Sequence, residues 1–283
     1  MTILVTGATG RVGSRFVPRL LRQGRPVRVL ARDAGRAEGL AKLGAEVAIG
    51  DLTDRSDLDT ALNGAKAVVH LGAAFRGVSD EEAVATNHTA TVELAKAALQ
   101  AGVERFVYAS TSLVYGAGPG RPARESDEMS PPQGFGAYPI SKADGEKALL
   151  DLHRTDGLPL RVARLAFVYG DGDPHLSESL IWATEWPLHK RFHLVHHADV
   201  SQALIRLTWA AGVDGEVFNV ADDSAVTALE LLDINGQPAS PDAADRPLDN
   251  PWGDVLDSGK IRRELGFRPI YPTVYTARDA GAL

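Results

Sequence analysis

The sequence predicts an α/β fold in which helices cover both faces of a parallel sheet, followed by a small irregular C-terminal lobe. Three observations support this. Strand-like and helix-like segments alternate over the first 165 residues. Strand candidates such as Ala67–Leu71 are apolar without alternation, which is typical of strands covered on both faces. A Gly-rich turn, Gly7–Gly13, joins the first strand to the first helix.

Each element is placed by its apolar periodicity and by the residue that ends it. Gly24 and Gly102 are predicted helix ends. Pro18 falls inside the first helix, where it should bend the helix or reduce its stability. The predicted strands are Thr2–Thr6, Val27–Ala31, Val47–Ile49, Ala67–Leu71, Arg105–Ala109 and Leu160–Arg164. The predicted helices are Val12–Gln23, Ala34–Leu43, one including Leu58–Leu62, Glu81–Ala101 and one around Ser141–His153.

The composition excludes several classes of function. The 283 residues include 30 Lys and Arg against 37 Asp and Glu, a net charge of −7, which argues against a nucleic-acid partner. The absence of cysteine excludes disulfides, thiol nucleophiles and Cys-ligated metals. No signal peptide or apolar run of about 18 residues is recognised, so we expect a cytoplasmic protein without a membrane partner.

The turn Gly7-Ala8-Thr9-Gly10-Arg11-Val12-Gly13 predicts a dinucleotide site. Its glycines permit a tight turn and a close approach of the backbone to a diphosphate. The helix that follows offers free N–H groups and a positive dipole end to the anion. The alternative is a turn that only connects two elements, but the strand before it and the helix after it favour the phosphate site.

The end of the second strand bears on the choice between NADP and NAD. An NAD site places an acidic residue there to hold the ribose hydroxyls. Our alignment puts Ala31 at that position, followed by Arg32, which suits a 2′-phosphate and which Arg11 could assist. Asp33 is the alternative, because a small shift of the alignment would make it the ribose acid. We favour NADP and keep NAD as the alternative.

Two other strand ends lie at the same predicted edge of the sheet. Asp51 either hydrogen-bonds the adenine amino group or caps a helix. The small residues Gly72-Ala73-Ala74 leave room for a cofactor close to the backbone. His70 is interpreted as a strand-end residue with satisfied hydrogen bonds rather than as an acid/base.

Tyr138 and Lys142 are four residues apart, on one face of a helix that should begin near Tyr138 because of Pro139. A free tyrosine has a pKa of about 10. A nearby ammonium and the oxidised nicotinamide would lower that pKa. Tyr138 could then exchange a proton with an alcohol or carbonyl oxygen as hydride moves. The hydroxyls of Ser110-Thr111-Ser112 follow the fifth strand at the same edge and could orient that oxygen.

With these pieces in register, residues 2 to about 270 resemble the extended short-chain dehydrogenase/reductase superfamily, of the NAD(P)-dependent epimerase/dehydratase type. The motifs that carry the resemblance are TGATGRVG, GDLTD, HLGAA, STSLVYG, YPISK, RLAFVYG, HHADV, FNVADD and KIRRELGFRP. The resemblance implies a Rossmann-type sheet. It divides the chain into a dinucleotide-binding domain at 1–168 and a mainly substrate-binding lobe at 169–283, with segments around 192–220 returning to the first domain.

The resemblance also implies roles for residues. Tyr138 is the acid/base, Lys142 its partner and Thr111 the hydroxyl donor, while Asn87 supports the fold near the cofactor. The implied cofactor contacts are Gly7, Thr9, Gly10, Arg11, Val12, Gly13, Arg32, Asp51, Leu52, Leu71, Gly72, Ala73, Ala74, Asn87, Ser110, Tyr138, Lys142, Leu165 and Phe167. The implied substrate contacts are Ser112, Phe75, Tyr169 and Arg191. No metal site is implied. Relatives commonly dimerise through the helices at 81–101 and 138–153, so a homodimer is expected.

Departures from the family pattern narrow the chemistry. Sugar-nucleotide 4,6-dehydratases of the family carry Asp-Glu after the threonine, where this chain has Ser112-Leu113. Decarboxylases carry Glu at the first of these positions. Both reactions are therefore disfavoured. Two further departures argue against a nucleotide-sugar substrate. The family's Arg-Pro-x-Asn is replaced by Arg164-Leu165-Ala166-Phe167. The following Pro-Gly is replaced by Asp171-Gly172-Asp173, whose charges are expected to repel a diphosphate.

A segment between residues 175 and 197 is rich in histidine and basic residues, without the spacing of a metal site. We interpret it as a solvated surface, with an anionic-substrate pocket as the alternative. His197-Ala198-Asp199-Val200 is interpreted as the start of a packing helix.

The sequence thus predicts an NAD(P)-dependent oxidoreductase. It would transfer hydride between nicotinamide and a secondary alcohol or ketone carbon of a sugar-like or other small carbonyl substrate, with net reduction or epimerisation. The alternatives are a plain NADPH-dependent ketoreductase acting on a non-nucleotide substrate and a non-catalytic NADP-binding sensor.

Overall fold

The structure is a computed structural model that describes residues 1–283. Its strands are Thr2–Thr6 (β1), Val27–Ala31 (β2), Glu46–Ile49 (β3), Ala65–His70 (β4), Arg105–Thr111 (β5), Leu160–Leu165 (β6), Phe167–Tyr169 (β7), Arg191–Phe192 (β8), Leu194–His196 (β9), Glu216–Val220 (β10) and Val226–Thr227 (β11). Its α-helices are Gly13–Arg22 (α1), Ala34–Lys42 (α2), Arg55–Leu62 (α3), Asp80–Val84 (α4), Thr91–Gln100 (α5), Ala137–Asp156 (α6), His175–Glu185 (α7), His197–Trp209 (α8), Ala228–Ile234 (α9), Gly259–Leu265 (α10) and Val274–Asp279 (α11).

A seven-stranded sheet organises the chain, in the order β10-β6-β5-β4-β1-β2-β3. The pairs from β3 to β5 are parallel, and a helix follows each of β1, β2 and β3 in the chain. In β1 the side chains of Ile3, Leu4 and Val5 are fully buried, as expected when both faces of the sheet are covered. The predicted Rossmann-type α/β fold is confirmed. None of the helices is both long and apolar enough to cross a membrane.

The chain forms two compact units. Unit 1 comprises Met1–Thr111, Gln133–Arg164 and Ala203–Val217, and unit 2 comprises Ser112–Pro132, Leu165–Gln202 and Phe218–Leu283. The core of unit 1 includes Leu4, Phe106 and Leu149, which come from β1, β5 and α6. The core of unit 2 includes Tyr169 and Leu180.

The helix expected at Glu81–Ala101 is present as helical backbone from Asp80 to Gln100. A π-helical segment, Ala85–Ala90, lies within it, between α4 and α5. Ala-rich periodicity did not reveal the extra residue inserted into a turn. Such π segments are frequent at functional sites.

Helix α6 begins at Ala137, one residue before Tyr138, as Pro139 predicted. Gly136 precedes it with φ 68°, and Gly157, in the left-handed region, follows its last residue. Pro18 lies inside α1, where it leaves the i−4 hydrogen bond unmade.

Candidate active site

The glycine turn after β1 packs tightly against the end of β4. Gly7 has φ 67°, and a Cβ added there would lie 2.5 Å from the backbone nitrogen of Gly72. A Cβ on Gly13 would overlap the carbonyl oxygen of Gly7. A Cβ on Gly10 would meet only that same oxygen, at 3.2 Å, so this side of the turn is open. The turn therefore excludes side chains where it is packed and leaves one face free.

The N-terminus of α1 suits an anion. Val12 occupies the cap position, no side chain caps the helix, and the first turn contains no acidic residue. Uncapped N–H groups and the positive end of the helix dipole are the usual elements of a phosphate site. Thr9 and Arg11 belong to the same turn, and Arg11 is exposed.

The end of β4 forms the neighbouring wall. The backbone nitrogen of Leu71 donates to the Thr6 carbonyl at 3.1 Å. A Cβ on Gly72 would lie 3.5 Å from a methyl carbon of Leu52, so these predicted cofactor contacts lie side by side. Ala73 is exposed and Ala74 is buried.

Asn87 connects this wall to α6. Its side-chain oxygen accepts from the Ala74 nitrogen, and its amide nitrogen donates to the Ala74 carbonyl, both at 2.8 Å. The same amide nitrogen donates to the Ser141 hydroxyl at 3.1 Å. Ser141 in turn donates to the Tyr138 carbonyl. Asn87 lies in the π-helical segment, and this position sets its side-chain amide between the loop at Ala74 and α6.

The acidic residues near the predicted ribose site have other partners. Asp33 caps α2, and its carboxylate accepts from the Arg36 nitrogen. Asp51 accepts from the nitrogen and the hydroxyl of Thr53 at 2.8 and 2.7 Å. These hydrogen bonds, helped by the positive charge of Arg32, lower the pKa of Asp51. Arg32 is exposed.

Lys142 is buried one helical turn after Tyr138. Its Nζ donates to the Ala109 carbonyl at 2.7 Å and lies 4.0 Å from the ring centre of Tyr108. Burial lowers the pKa of Lys142 to about 7, although the negative charge of Glu146 acts in the opposite direction.

Tyr138 is hydrogen-bonded by Thr111, so the predicted acid/base and hydroxyl donor meet in unit 1. Burial raises the pKa of Tyr138 to about 12, and the Thr111 hydrogen bond lowers it. The lowered pKa expected from the sequence therefore does not hold for the protein alone, since desolvation outweighs the neighbouring groups. The ring of Phe75 lies 4.5 Å from that of Tyr138.

Ser110 carries the one buried hydroxyl of this edge that lacks a hydrogen-bond partner. It lies between Ala109, which accepts from Lys142, and Thr111. A buried hydroxyl normally has a partner, so its free bonding capacity is consistent with a ligand contact.

The remaining predicted contacts lie in unit 2. Ser112 begins a short 3-10 helix, Leu165 ends β6 and Phe167 begins β7. The Arg191 guanidinium lies 4.0 Å from the Trp252 ring centre. Tyr169 differs from the prediction of a substrate contact: it is fully buried in the core, where its hydroxyl donates to Asp222.

The histidine-rich segment is buried at its C-terminal end, so the interpretation as a solvated surface was wrong for His193, His196 and His197. His197 Nε2 lies 2.8 Å from a carboxylate oxygen of Asp173, which is itself buried. Asp173 is therefore not available to repel a ligand as expected. No group of three or more His, Cys, Asp and Glu side chains is arranged to hold a metal ion.

His70 is a strand-end residue with satisfied hydrogen bonds, as interpreted from the sequence. It lies between the hydroxyls of Thr6 and Thr91, at 2.6 and 2.8 Å. Sequence reasoning missed a second buried set of polar residues in unit 1, in which Glu146 pairs with Arg164. The spacing of Glu146 from Lys142, one turn along α6, was the available signal for this pair.

Comparison with known families decides the relationship. A model of the NAD dependent epimerase/dehydratase family matches residues 3–221. The chain belongs to this family. The resemblance inferred from the motifs is confirmed.

Three relatives illustrate the range of chemistry within the epimerase/dehydratase family. The dTDP-glucose 4,6-dehydratase of Streptomyces niveus is 32% identical over 300 residues, covering 95% of this chain and 88% of that protein. A 4-hydroxy-2-methyl-3-oxo-4-farnesyl-3,4-dihydroquinoline-1-oxide ketoreductase of Stigmatella aurantiaca is 29% identical, covering 83% of this chain and 72% of that protein. The crystal structure of DesIV, a dTDP-glucose 4,6-dehydratase from Streptomyces venezuelae with NAD bound, is 29% identical with a TM-score of 0.74, covering 99% of this chain and 97% of that chain.

Proposed function

We propose that this family member is an NAD(P)-dependent oxidoreductase that transfers hydride between nicotinamide and a secondary alcohol or ketone carbon. The observation that carries the proposal is the hydrogen bond between Thr111 and Tyr138, with the Lys142 side chain buried one turn away. A phenol, a hydroxyl donor and a primary amine placed together can exchange a proton with the oxygen atom of a substrate.

The residues present fit a dinucleotide. The open face of Gly10 and the uncapped start of α1 would hold the diphosphate, while Leu52, Leu71, Gly72 and Ala73 would line the neighbouring wall. Ser110 has a buried hydroxyl able to bond the ligand. We extend the cofactor contacts to Leu165 and Phe167 of unit 2, as the family resemblance implies. When bound, the dinucleotide supplies or accepts the hydride.

The protein residues handle the accompanying proton. The Tyr138 hydroxyl donates its proton to the carbonyl oxygen during reduction, and the Tyr138 phenolate accepts a proton from the alcohol during oxidation. In this structure Thr111 hydrogen-bonds Tyr138 and stabilises negative charge on the phenol oxygen. With substrate bound, the one Thr111 hydroxyl hydrogen would instead be donated to the substrate oxygen and orient it. Lys142, when charged, lowers the pKa of Tyr138 by favouring the phenolate. A positively charged oxidised cofactor would act in the same direction.

NADP is the cofactor that we favour, with NAD as the alternative. Asp33, the rival ribose acid, already caps α2 through the Arg36 nitrogen. Arg32 is exposed at the end of β2, close enough to Asp51 to lower the pKa of that carboxyl. A guanidinium at this strand end suits a 2′-phosphate.

Reduction or epimerisation is favoured over dehydration. Dehydratases and decarboxylases of the family carry acidic residues where this chain has Ser112 and Leu113, and neither replacement can remove a proton from carbon at neutral pH. Several dTDP-glucose 4,6-dehydratases are nevertheless among the relatives, so the assay must include a dTDP-sugar. Plain ketone reduction on a non-nucleotide substrate is the second candidate. Phe75 favours it, because this large apolar residue is 41% exposed and its ring lies beside that of Tyr138.

We further propose that unit 1 binds the cofactor and that unit 2 supplies substrate contacts through Ser112 and Arg191. We also propose a homodimer formed through the helical segment 81–101 and α6, for which the exposed Val84 offers apolar surface. A cytoplasmic location is part of the same proposal. Sedimentation and cell fractionation test these two points.

The main test measures NADPH and NADH oxidation at 340 nm with ketones, for the native protein and Tyr138→Phe. Conversion of UDP-sugars and dTDP-sugars is followed by NMR in the same two proteins, because epimerisation causes no net change in the cofactor. We expect turnover with at least one carbonyl substrate and its loss in the variant. Cofactor binding without turnover on any substrate would instead support the non-catalytic sensor.

A further inference from the structure

A buried ion pair lies beneath the candidate active site in unit 1. Arg164 on β6 donates to Glu146 on α6 through Nε at 3.0 Å and Nη2 at 2.6 Å. The relative exposures of Glu146 and Arg164 are 0% and 3%. Glu146 is the one acidic residue of unit 1 that is buried. Because moving two charges out of water is costly, such a pair is weak evidence for stability alone.

Glu146 is placed to act on Lys142. The two residues are four apart on α6 and both are buried, so they lie on the same face of the helix. Tyr108 lies beside both of them. Its ring is 4.0 Å from Lys142 Nζ, its hydroxyl is 3.4 Å from the Lys142 carbonyl oxygen, and the charge of Glu146 adds to burial in raising its pKa.

We propose that Glu146, fixed by Arg164, is a positioning residue that supplies the negative charge needed to keep buried Lys142 an ammonium. This inference rests on the proposed function for its catalytic meaning, but the charge state of Lys142 can be measured without turnover.

The groups facing Lys142 leave Glu146 as the source of that charge. Tyr138 and Glu146 share α6 with the lysine, and Tyr108 faces it from β5. Two further groups influence this region. His70 on β4 is kept neutral by burial and by Lys142 itself, while Arg164 is a cation already held by Glu146. The Ala109 carbonyl accepts a hydrogen bond but carries no net charge.

The consequence for function concerns the tyrosine. Burial alone disfavours the ammonium form, and the attraction of Glu146 opposes that effect. A neutral amine cannot stabilise a phenolate by charge. Loss of Glu146 should therefore move the alkaline limb of the pH–rate profile to lower pH, while substrate KM on the acidic side stays unchanged.

The direct test follows the 13Cε resonances of the chain's seven lysines through a pH titration of the protein labelled with [13C]lysine. The resonance missing from Lys142→Met identifies the buried lysine, whereas exposed lysines titrate near pH 10.4. In Glu146→Gln we expect the Lys142 midpoint to fall by about one pH unit or more, because one unit needs only about 1.4 kcal/mol of lost attraction.

Three further variants separate charge from structure. Glu146→Asp keeps the charge and should keep the midpoint within about half a unit. Glu146→Gln/Arg164→Met removes both charges, so it avoids an unpaired buried cation and should still lower the midpoint. Asp214→Asn is the matched control: Asp214 pairs with Arg161, which lies on the opposite face of β6. It should leave the midpoint unchanged.

An unchanged Lys142 midpoint in both Glu146→Gln and the double variant would overturn the inference and leave the pair a structural tie between α6 and β6. Failure of the proposed function would look different. The native protein would then turn over no carbonyl substrate, while its lysine titration still responded to Glu146.

Discussion

Lys142 Nζ donates a 2.7 Å hydrogen bond to the backbone carbonyl of Ala109, the residue two positions before Thr111. This bond joins α6 to β5, the two elements that carry the phenol and the hydroxyl of the candidate site. Lys142 therefore acts in two ways. Its hydrogen bond fixes the spacing between α6 and β5, and its charge sets the electrostatics of the site.

Removal of the Tyr138 hydroxyl should abolish most of the activity. Tyr138→Phe keeps the ring contact with Phe75 but has no proton to exchange, so we expect turnover to fall at least about 100-fold. The dissociation constant of the cofactor, measured by fluorescence titration, should change little. Tyr115→Phe in unit 2 is the control, since its hydroxyl donates to Asn219. Equal loss in both variants would contradict the role assigned to Tyr138.

Cofactor preference should depend on Arg32. Arg32→Ala removes the charge proposed to bind a 2′-phosphate, so NADP should bind about 10-fold more weakly or worse while NAD is unaffected. Asp33→Asn is the paired variant. Asparagine also caps helices, so it should preserve stability and the preference alike. A selective loss of NAD binding in Asp33→Asn would identify Asp33 as the ribose acid and reverse the assignment.

The sequence was sufficient for features that depend on local patterns. Apolar runs located β1 and β4, and Pro139 located the start of α6 within one residue of Tyr138. The features that it did not reveal depend on tertiary contacts. The Asn87 side chain, carried by the π-helical segment, hydrogen-bonds the backbone of Ala74, more than 10 residues away in the chain. Burial of His193, His196 and His197 depends on partners in other segments, such as Asp173.

Phe75 should govern the preference for apolar substrates. If an apolar group of the substrate packs on this exposed ring, Phe75→Ala should raise KM for aromatic or long-chain ketones about 10-fold, through lost apolar burial. The KM for a small polar ketone should hardly change. Steady-state kinetics on both classes test this, and an equal effect on the two would indicate that Phe75 only supports Tyr138.

Buried His70 should make stability depend on pH. Thr91 donates to the Thr86 carbonyl, so His70 donates through Nε2 and accepts from Thr6 through Nδ1, as a neutral ring. Burial, and then the charge of Lys142, lowers its pKa to about 3. The unfolded chain binds this proton near pH 6.5 but the folded chain does not, so stability is complete above pH 6.5 and falls as the pH decreases towards 3.

Urea unfolding at pH 7.5 and 5.5 measures this dependence. Between these values one such histidine contributes about 1.4 kcal/mol of lost stability. His70→Gln should be less stable at both pH values, because it cannot bridge both threonines, but its loss between them should be smaller by about that amount. An unchanged pH dependence in the variant would contradict a neutral buried His70.

Two helical glycines offer a matched comparison. Gly145 lies in α6, and a Cβ added there would sit 2.5 Å from the Asn87 carbonyl and 3.2 Å from the Tyr108 hydroxyl. Gly145→Ala should therefore cost about 1–3 kcal/mol, since backbone must shift, and should lower turnover by moving α6 away from the Asn87 segment. Gly39 lies exposed in α2 with no atom within 4 Å of the added Cβ, so Gly39→Ala should stabilise the protein by about 0.5–1 kcal/mol and leave turnover unchanged.

Chemical denaturation and steady-state rates of the two variants, measured together, distinguish close packing at the active-site helix from the general preference of helices for alanine. If both substitutions stabilised the protein equally, the close approach of α6 to Asn87 would not exist in solution.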